Sequence, residues 1–284
     1  MVLEKTVCET CGGQLEILDS KTAKCTICGN TYLVKDAPVK KTKPADNRPQ
    51  SDPQTICNQQ FFYFCADNKL AEAKKTWNEN KDIIDLGFVM LANTALTQSA
   101  YKQHIDVVKW LIEIGAPLDA TNEARQTALI RATIKGDKEI AKVLLDAGAN
   151  TDVVDKEGCN ALSYALNSIY EKHWEIAPLL IEYNANLDII DRYGKTALIH
   201  AIKRKNKEIV KALLDAGANI NAKDRGGRPA IIHAITESKE MAFLLIDNGV
   251  DINVSDKDGE TALEFAARYR IFDEIKQRIA QCKN

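Results

Sequence analysis

The chain has 284 residues, of which 45% are hydrophobic and 27% charged, so it can bury a core and is not a wholly disordered protein. Its 38 Lys and Arg against 40 Asp and Glu give a formal net charge of -2, which excludes a globally basic, histone-like binder but not a local basic patch. Apolar runs fall short of the roughly 18 residues that a membrane span needs, and the N-terminus lacks a secretory signal. We therefore expect a cytoplasmic protein without membrane contact.

Two closely spaced cysteine pairs stand near the N-terminus, Cys8 with Cys11 and Cys25 with Cys28. Two residues between paired cysteines let both sulfurs turn toward one metal ion, and the glycine after each pair permits a tight turn. The pattern resembles that of zinc ribbons and covers residues 1–35. The resemblance implies a small β domain that binds one structural zinc ion (Zn2+) through these four thiolates. Four thiolates leave no coordination position open for catalysis.

Residues 36–53 contain four prolines and no apolar period, so we expect a flexible, extended linker. Three lysines lie within it, at positions 40, 41 and 43. They could tether the chain weakly to phosphates, or they could serve only to keep the linker soluble.

From residue 54 onward the sequence repeats at a step of about 33 residues. Each unit has an anchor of the Thr-Ala-Leu type, a small residue five positions later, a second amphipathic run and, in most units, a final Gly-Ala-Asn or a variant of it. Several anchors follow an Asp-x-x-Gly turn, as in residues 155–158 and 191–194. The anchors begin at residues 94, 127, 160, 196, 229 and 261.

This pattern strongly resembles the ankyrin repeat over residues 54–284. The resemblance implies a mainly α-helical solenoid of about seven units, including degenerate caps at both ends. Each anchor threonine is expected to cap a first helix, and each terminal glycine to adopt a left-handed conformation after the second. Asn184 replaces that glycine in unit three. Unit three also has three extra residues within 167–172, and Pro178 should kink or shorten its second helix.

The resemblance implies a non-enzymatic scaffold that binds another protein through its turn tips and the groove along its first helices. No phosphate-binding loop, dinucleotide fingerprint or zinc-protease motif is present, and the other four cysteines lack metal-binding spacing. We expect the residue four positions after each anchor to face the groove, and the tips and the lengthened turn to add cations and aromatic rings. The predicted partner-binding residues are Arg131, Tyr164, Tyr170, Trp174, Arg192, Tyr193, Lys195, His200, Arg204, Arg225, Arg228, His233 and Phe265.

These residues leave several interpretations open. An acidic protein segment would suit the cations, as would phosphate or nucleic acid, and a solvated face with no partner is the plainest alternative. The lengthened turn of unit three is either a contact site or neutral variation. We expect a monomeric adaptor, with a nucleic-acid-associated regulator that uses the ribbon and linker as the alternative. A third hypothesis is that the protein blocks the active site of an enzyme.

Overall fold

The structure is a computed structural model that describes residues 52–90 and 93–282, together with the backbone of three strands. The chain divides into two compact parts, Met1–Ala95 and Leu96–Asn284. Outside the strands, the regular elements of the described residues are helices. The elements are β1 (Leu15–Ile17), β2 (Thr22–Cys25), β3 (Thr31–Leu33), α1 (Pro53–Ala66), α2 (Leu70–Asn80), α3 (Ala95–Tyr101), α4 (Ile105–Glu113), α5 (Ala128–Lys135), α6 (Lys138–Asp146), α7 (Ala161–Asn167), α8 (Glu171–Trp174), α9 (Ala177–Glu182), α10 (Ala197–Lys203), α11 (Lys207–Asp215), α12 (Ala230–Glu237), α13 (Lys239–Asp247), α14 (Ala262–Arg268) and α15 (Phe272–Cys282).

The three strands form one antiparallel sheet in the order β1-β2-β3, with Leu15 opposite Cys25. Of the four predicted zinc ligands, Cys8, Cys11 and Cys28 lie outside the described residues. Only the backbone of Cys25 is described, as the last residue of β2. The predicted linker also lies outside them, except for its last two residues, with which helix α1 begins.

Helices α1 and α2 pack together and correspond to the first, degenerate repeat of the sequence pattern. The carboxylate of Asp52 accepts a hydrogen bond from the backbone N–H of Thr55 at 2.9 Å and so caps α1. Pro53 occupies the first turn, where the missing N–H costs no hydrogen bond. The rings of Phe61 and Trp77 lie 6.0 Å apart between the two helices.

In the compact part Leu96–Asn284, the first helices of successive repeats pack against one another in the order α5, α7, α10, α12 and α14. The predicted caps are confirmed, because the hydroxyls of Thr127, Thr196 and Thr261 accept hydrogen bonds from the backbone N–H three residues later. Asn160 does the same for α7, whereas Pro229 has no side-chain oxygen to cap α12. The small residues five positions after the anchors are buried where the helices meet. They are Ser99, Ala132, Ala165, Ala201, Ala234 and Ala266.

The ends of the second helices also confirm the sequence pattern. The backbone φ angle is +85° at Gly115 and +57° at Asn184, so the asparagine adopts the left-handed conformation that glycine adopts elsewhere. Pro178 lies in the first turn of α9, and the second helix of unit three is divided into α8 and α9 as a result.

A ladder of side-chain hydrogen bonds links the turns of neighbouring units, and nothing in the sequence pattern predicted it. In each step, a carboxylate or amide oxygen accepts a hydrogen bond from a backbone N–H about one repeat later. The steps are Asp119 to Asn150 at 2.9 Å, Asp152 to Asn186 at 2.7 Å, Asp188 to Asn219 at 3.1 Å and Asn221 to Asp251 at 3.0 Å. The ladder sets the spacing of the turns independently of the helix core.

Candidate functional site

The side chains four positions after the anchors do not face solvent as predicted. In units three to five each of them bonds to the aspartate nine positions earlier, which begins the turn of its own repeat. The pairs are Tyr164 Oη with Asp155 Oδ2 at 2.5 Å, His200 Nε2 with Asp191 Oδ2 at 2.7 Å and His233 Nε2 with Asp224 Oδ2 at 3.0 Å.

His200 and His233, which were predicted to bind a partner in the groove, are buried, with only 5% and 4% of these residues accessible. The turn aspartates lie largely under the first helices, and a buried carboxylate needs hydrogen-bond donors on every side. The side chains at this position supply one of those donors. Phe265, which was predicted to have the same role, is also buried, at 6% exposure.

The ionisation of these pairs follows from their burial and their hydrogen bonds. Burial by itself would raise the pKa of Asp191, but hydrogen bonds from His200 and from the backbone of Lys195 outweigh it, so the pKa lies below its ordinary value. Burial lowers the pKa of His233 despite its bond to Asp224. At neutral pH, the geometry therefore suits a neutral His233 that donates Nε2–H to a charged carboxylate.

All five predicted arginines make contacts within the chain, and Arg228 lies over the Phe265 ring, 5.9 Å from its centre. The guanidinium carbon of Arg131 lies 3.6 Å from the ring centre of Tyr101. Arg225 donates to the backbone carbonyls of Asp191 and Arg192, at 3.1 and 3.2 Å. Arg204 donates to the carbonyl of Asn167 at 3.0 Å. The last two residues are also exposed, so they stabilise the repeat stack and leave one side of the side chain accessible.

The turn of unit four carries a cluster of four side chains, of which three are exposed and one is half-buried. We call Ile190, Arg192, Tyr193 and Lys195 the unit-four tip. Ile190 and Tyr193 are each 47% exposed. The guanidinium of Arg192 lies over the Tyr193 ring, 4.7 Å from its centre, and forms an ion pair with Glu157 at 3.0 Å. The ammonium of Lys195 lies 5.7 Å from the same ring centre.

The lengthened turn of unit three, residues 168–176, is called the unit-three loop. Tyr170 is exposed as predicted, whereas Trp174 is partly buried and donates its indole N–H to the Ser168 carbonyl at 2.9 Å. Sequence reasoning missed Ile169 in this loop and Ile190 in the unit-four tip. An isoleucine in a repeat suggests the core, and only the position of the turns shows that these two are exposed.

Two further properties concern the described residues. None of the helices there is long and apolar enough to cross a membrane. Within the same residues, no group of three or more His, Cys, Asp or Glu side chains is placed to hold a metal ion. The side chains of the four predicted zinc ligands are not among these residues.

The sequence matches one family model and several curated proteins. The family model "Ankyrin repeats (3 copies)" matches residues 62–155 and 144–224. Protein HOS4 of Saccharomyces cerevisiae is 28% identical over 162 residues, which cover 49% of this chain and only 14% of that protein. The chain thus spans a small part of this relative.

Solved structures match over most of their own length. The ankyrin repeat domain of Bcl-3, described as a member of the IkappaB protein family, superposes with a TM-score of 0.65 at 25% identity, covering 76% of this chain and 97% of that one. An ankyrin repeat domain from Acinetobacter baumannii gives a TM-score of 0.59 at 30% identity, covering 66% and 97%. The family model spans residues 62–224, which is more than half of the 284 residues of this chain. The chain therefore belongs to the ankyrin-repeat family.

Proposed function

We propose that this protein is a non-enzymatic scaffold that binds a partner protein through the unit-four tip and the adjacent turn of unit five. Ankyrin-repeat domains are generally modules for protein–protein interaction, and their relatives are typically not enzymes. The observation that carries the proposal is the half-exposed Tyr193, held between Arg192 and Lys195 at the end of a turn.

The composition of the tip favours protein binding. Tyrosine and arginine are the residue types that most often dominate the binding energy of interfaces. Here their positions are fixed before any partner arrives, because Arg192 is paired with Glu157 and Arg225 clamps the backbone of the same turn. Side chains that are already ordered lose little conformational entropy on binding, which strengthens the contact.

The charge of the tip favours an acidic segment of the partner. Arg192 and Lys195 lie in the turn of unit four, and Arg225 and Arg228 lie in that of unit five. Among these four, the structure gives an ion pair with a carboxylate for Arg192 alone. Complementary charge speeds association and selects the partner more than it adds affinity.

The tip is tested by capturing partners from a native lysate with the full-length protein, with and without nuclease, and quantifying them by mass spectrometry. We expect the double variant R192A/Y193A to lose about 90% of a captured protein, the effect of removing a hot spot of about 1.4 kcal/mol. The matched control is E208A/K211A, two exposed residues of α11. Unchanged capture by R192A/Y193A would contradict the assignment, and capture that disappears with nuclease would favour the nucleic-acid alternative.

We further propose that residues 1–35 form an accessory zinc ribbon and that the protein acts as a cytoplasmic monomer. The backbone pairing of β1 with β2 supports the ribbon, because this hairpin lies between the two cysteine pairs and β2 ends at Cys25. Four thiolates around one ion would stabilise a segment too short to bury a large core. Light scattering of the purified protein tests the monomer.

The zinc proposal predicts about one zinc ion per chain, measured by elemental mass spectrometry after dialysis. The variant C8S/C11S should lose the metal, because two ligands cannot hold it against competition from buffer. The control C57S alters a cysteine of α1 that has no metal-binding spacing and should keep it. A wild-type protein without zinc, or a C8S/C11S protein that retains it, would be incompatible with the ribbon.

A further inference from the structure

The unit-three loop exposes two large apolar side chains side by side. Ile169 is 69% exposed and Tyr170 61%, and they are the two most exposed large hydrophobic residues among those that the structure describes. They follow the C-terminal end of α7, whereas the turn tips precede the N-terminal ends of the first helices. The loop therefore belongs to a different edge of the repeat stack from the unit-four tip.

The loop is held in one conformation by its own polar groups. The hydroxyl of Ser168 accepts a hydrogen bond from the backbone N–H of Tyr170 at 3.1 Å, and the Ser168 carbonyl accepts one from Trp174. The imidazole of His173 lies between the Ser168 hydroxyl and the carbonyl of Ile134, 3.0 Å from each. An exposed apolar pair on a fixed loop is prepared for binding, because its ordering has already been achieved by folding.

Both neighbouring repeats are tied to this loop. The ammonium of Lys172 donates to the carbonyl of Lys135, at the end of α5, at 2.9 Å. On the other side, the guanidinium of Arg204, just after α10, donates to the carbonyl of Asn167 at 3.0 Å. The ends of three successive first helices therefore form one connected surface around Ile169 and Tyr170.

This surface is positively charged. The connections between first and second helices in the flanking repeats, residues 135–138 and 203–207, contain six Lys or Arg and one Asp, and Lys203 among them forms an ion pair with Glu237 at 3.2 Å. The loop itself adds Lys172, Glu171 and Glu175. Cations near the C-terminal ends of helices also complement the helix dipole, which accounts for part of this excess. That stabilising role does not account for the apolar pair at its centre.

We propose that Ile169 and Tyr170, together with the flanking cations, form a docking site for a short acidic peptide of a partner protein that carries a bulky apolar side chain. The cations select the acidic segment, and the apolar pair receives the side chain. Two side chains offer far less than the roughly 800 Å² per partner of a stable protein interface, which favours a peptide over a second copy of this chain. The site is additional to the turn-tip function and does not depend on it.

The experiment measures fluorescence anisotropy of the full-length protein with labelled peptides of about twelve residues, long enough to span neighbouring repeats in extended form. The probe peptide is rich in Glu with a central Leu-Phe, and two control peptides have either Ser-Ser at the centre or Lys in place of Glu. We expect the probe to bind and both controls to bind at least about tenfold more weakly. Failure of the probe to bind, or equal binding by either control, would overturn the proposal.

Variants locate the site and separate it from the unit-four tip. We expect I169S/Y170S to raise the Kd of the probe peptide about tenfold or more, with an unchanged thermal melt, because both residues are exposed. K205N, which keeps a residue tolerant of the positive φ at this position, should weaken binding at low salt only. E208A/K211A should bind the probe like the wild type, and R192A/Y193A shows whether the unit-four tip binds the probe instead. If only R192A/Y193A loses binding, the peptide binds the unit-four tip, and the proposed site at Ile169 and Tyr170 is overturned. The proposal is also overturned if light scattering shows a dimer that the variant I169S dissociates.

Discussion

The variant D191A is expected to lower the free energy of unfolding by about 3–5 kcal/mol, because it removes a carboxylate that accepts three hydrogen bonds and each donor left without its acceptor costs about 1–3 kcal/mol. Asp191 is completely buried. Its carboxylate accepts hydrogen bonds from the backbone N–H groups of Tyr193 and Lys195, at 2.9 and 3.0 Å, and from His200 at 2.7 Å. Alanine would leave all three donors without this acceptor.

Chemical denaturation in urea, followed by circular dichroism, measures this loss. The control is D258A, which changes an exposed aspartate in the turn of the last repeat and should alter stability by less than about 0.5 kcal/mol. A loss of less than about 1 kcal/mol in D191A would show that the turn reorganises and that its carboxylate network is dispensable.

The same network makes stability depend on pH in a defined direction. The pKa values of Asp191, Asp224 and His233 are all lower in the folded protein than their ordinary values. Each group therefore contributes stability above its ordinary pKa, and this contribution is lost as the pH falls through the folded pKa. Stability should begin to fall below about pH 6.5 through His233 and fall further below about pH 4 through the carboxylates. In D191A the second decline should be smaller, which urea titrations at stepped pH would show.

The variant L144A is expected to lower the free energy of unfolding by about 2–5 kcal/mol, because it removes a fully buried side chain and leaves a cavity. Leu144 lies one turn after Ile140 on α6, and both side chains face the core of the stack. Repeats contact only their neighbours, and α6 packs on α5 of its own unit and on α4 of unit one, so the damage should be greatest in units one and two. A broadened or two-step urea transition would reveal this partial loss of cooperativity.

A control for L144A exists in unit four, whose anchor begins at residue 196. Helix α11 repeats α6 almost letter for letter, and Leu214, the residue after the counterpart of Leu144, is only half-buried. L214A removes the same atoms at a site that solvent already reaches, so we expect at most about half the effect. Equal losses in the two variants would mean that burial at Leu144 is not what stabilises the repeat.

Local features of the fold were predictable because they depend on residues close together in the sequence. The threonine caps, the left-handed Asn184 and the early start of α9 at Pro178 all follow from the backbone preferences of single residues and from hydrogen bonds that span three or four positions. The repeat period itself comes from the same local signals, since each unit must present the same small and apolar residues to the next.

The exposure of the candidate site was decided by the tertiary structure. The positions of His200 and His233 on their helices were predicted, but their burial results from bonds to turn aspartates nine residues away. Likewise, Arg204 bonds to a carbonyl 37 positions earlier in the chain. Ile169 is exposed because a three-residue insertion displaces the loop. By itself the sequence determined which residues begin, fill and end each repeat, because those choices are local. Only the packing of one repeat on the next decided which side chains remain available to a partner, because burial and long-range hydrogen bonds depend on residues that a 33-residue period keeps far apart.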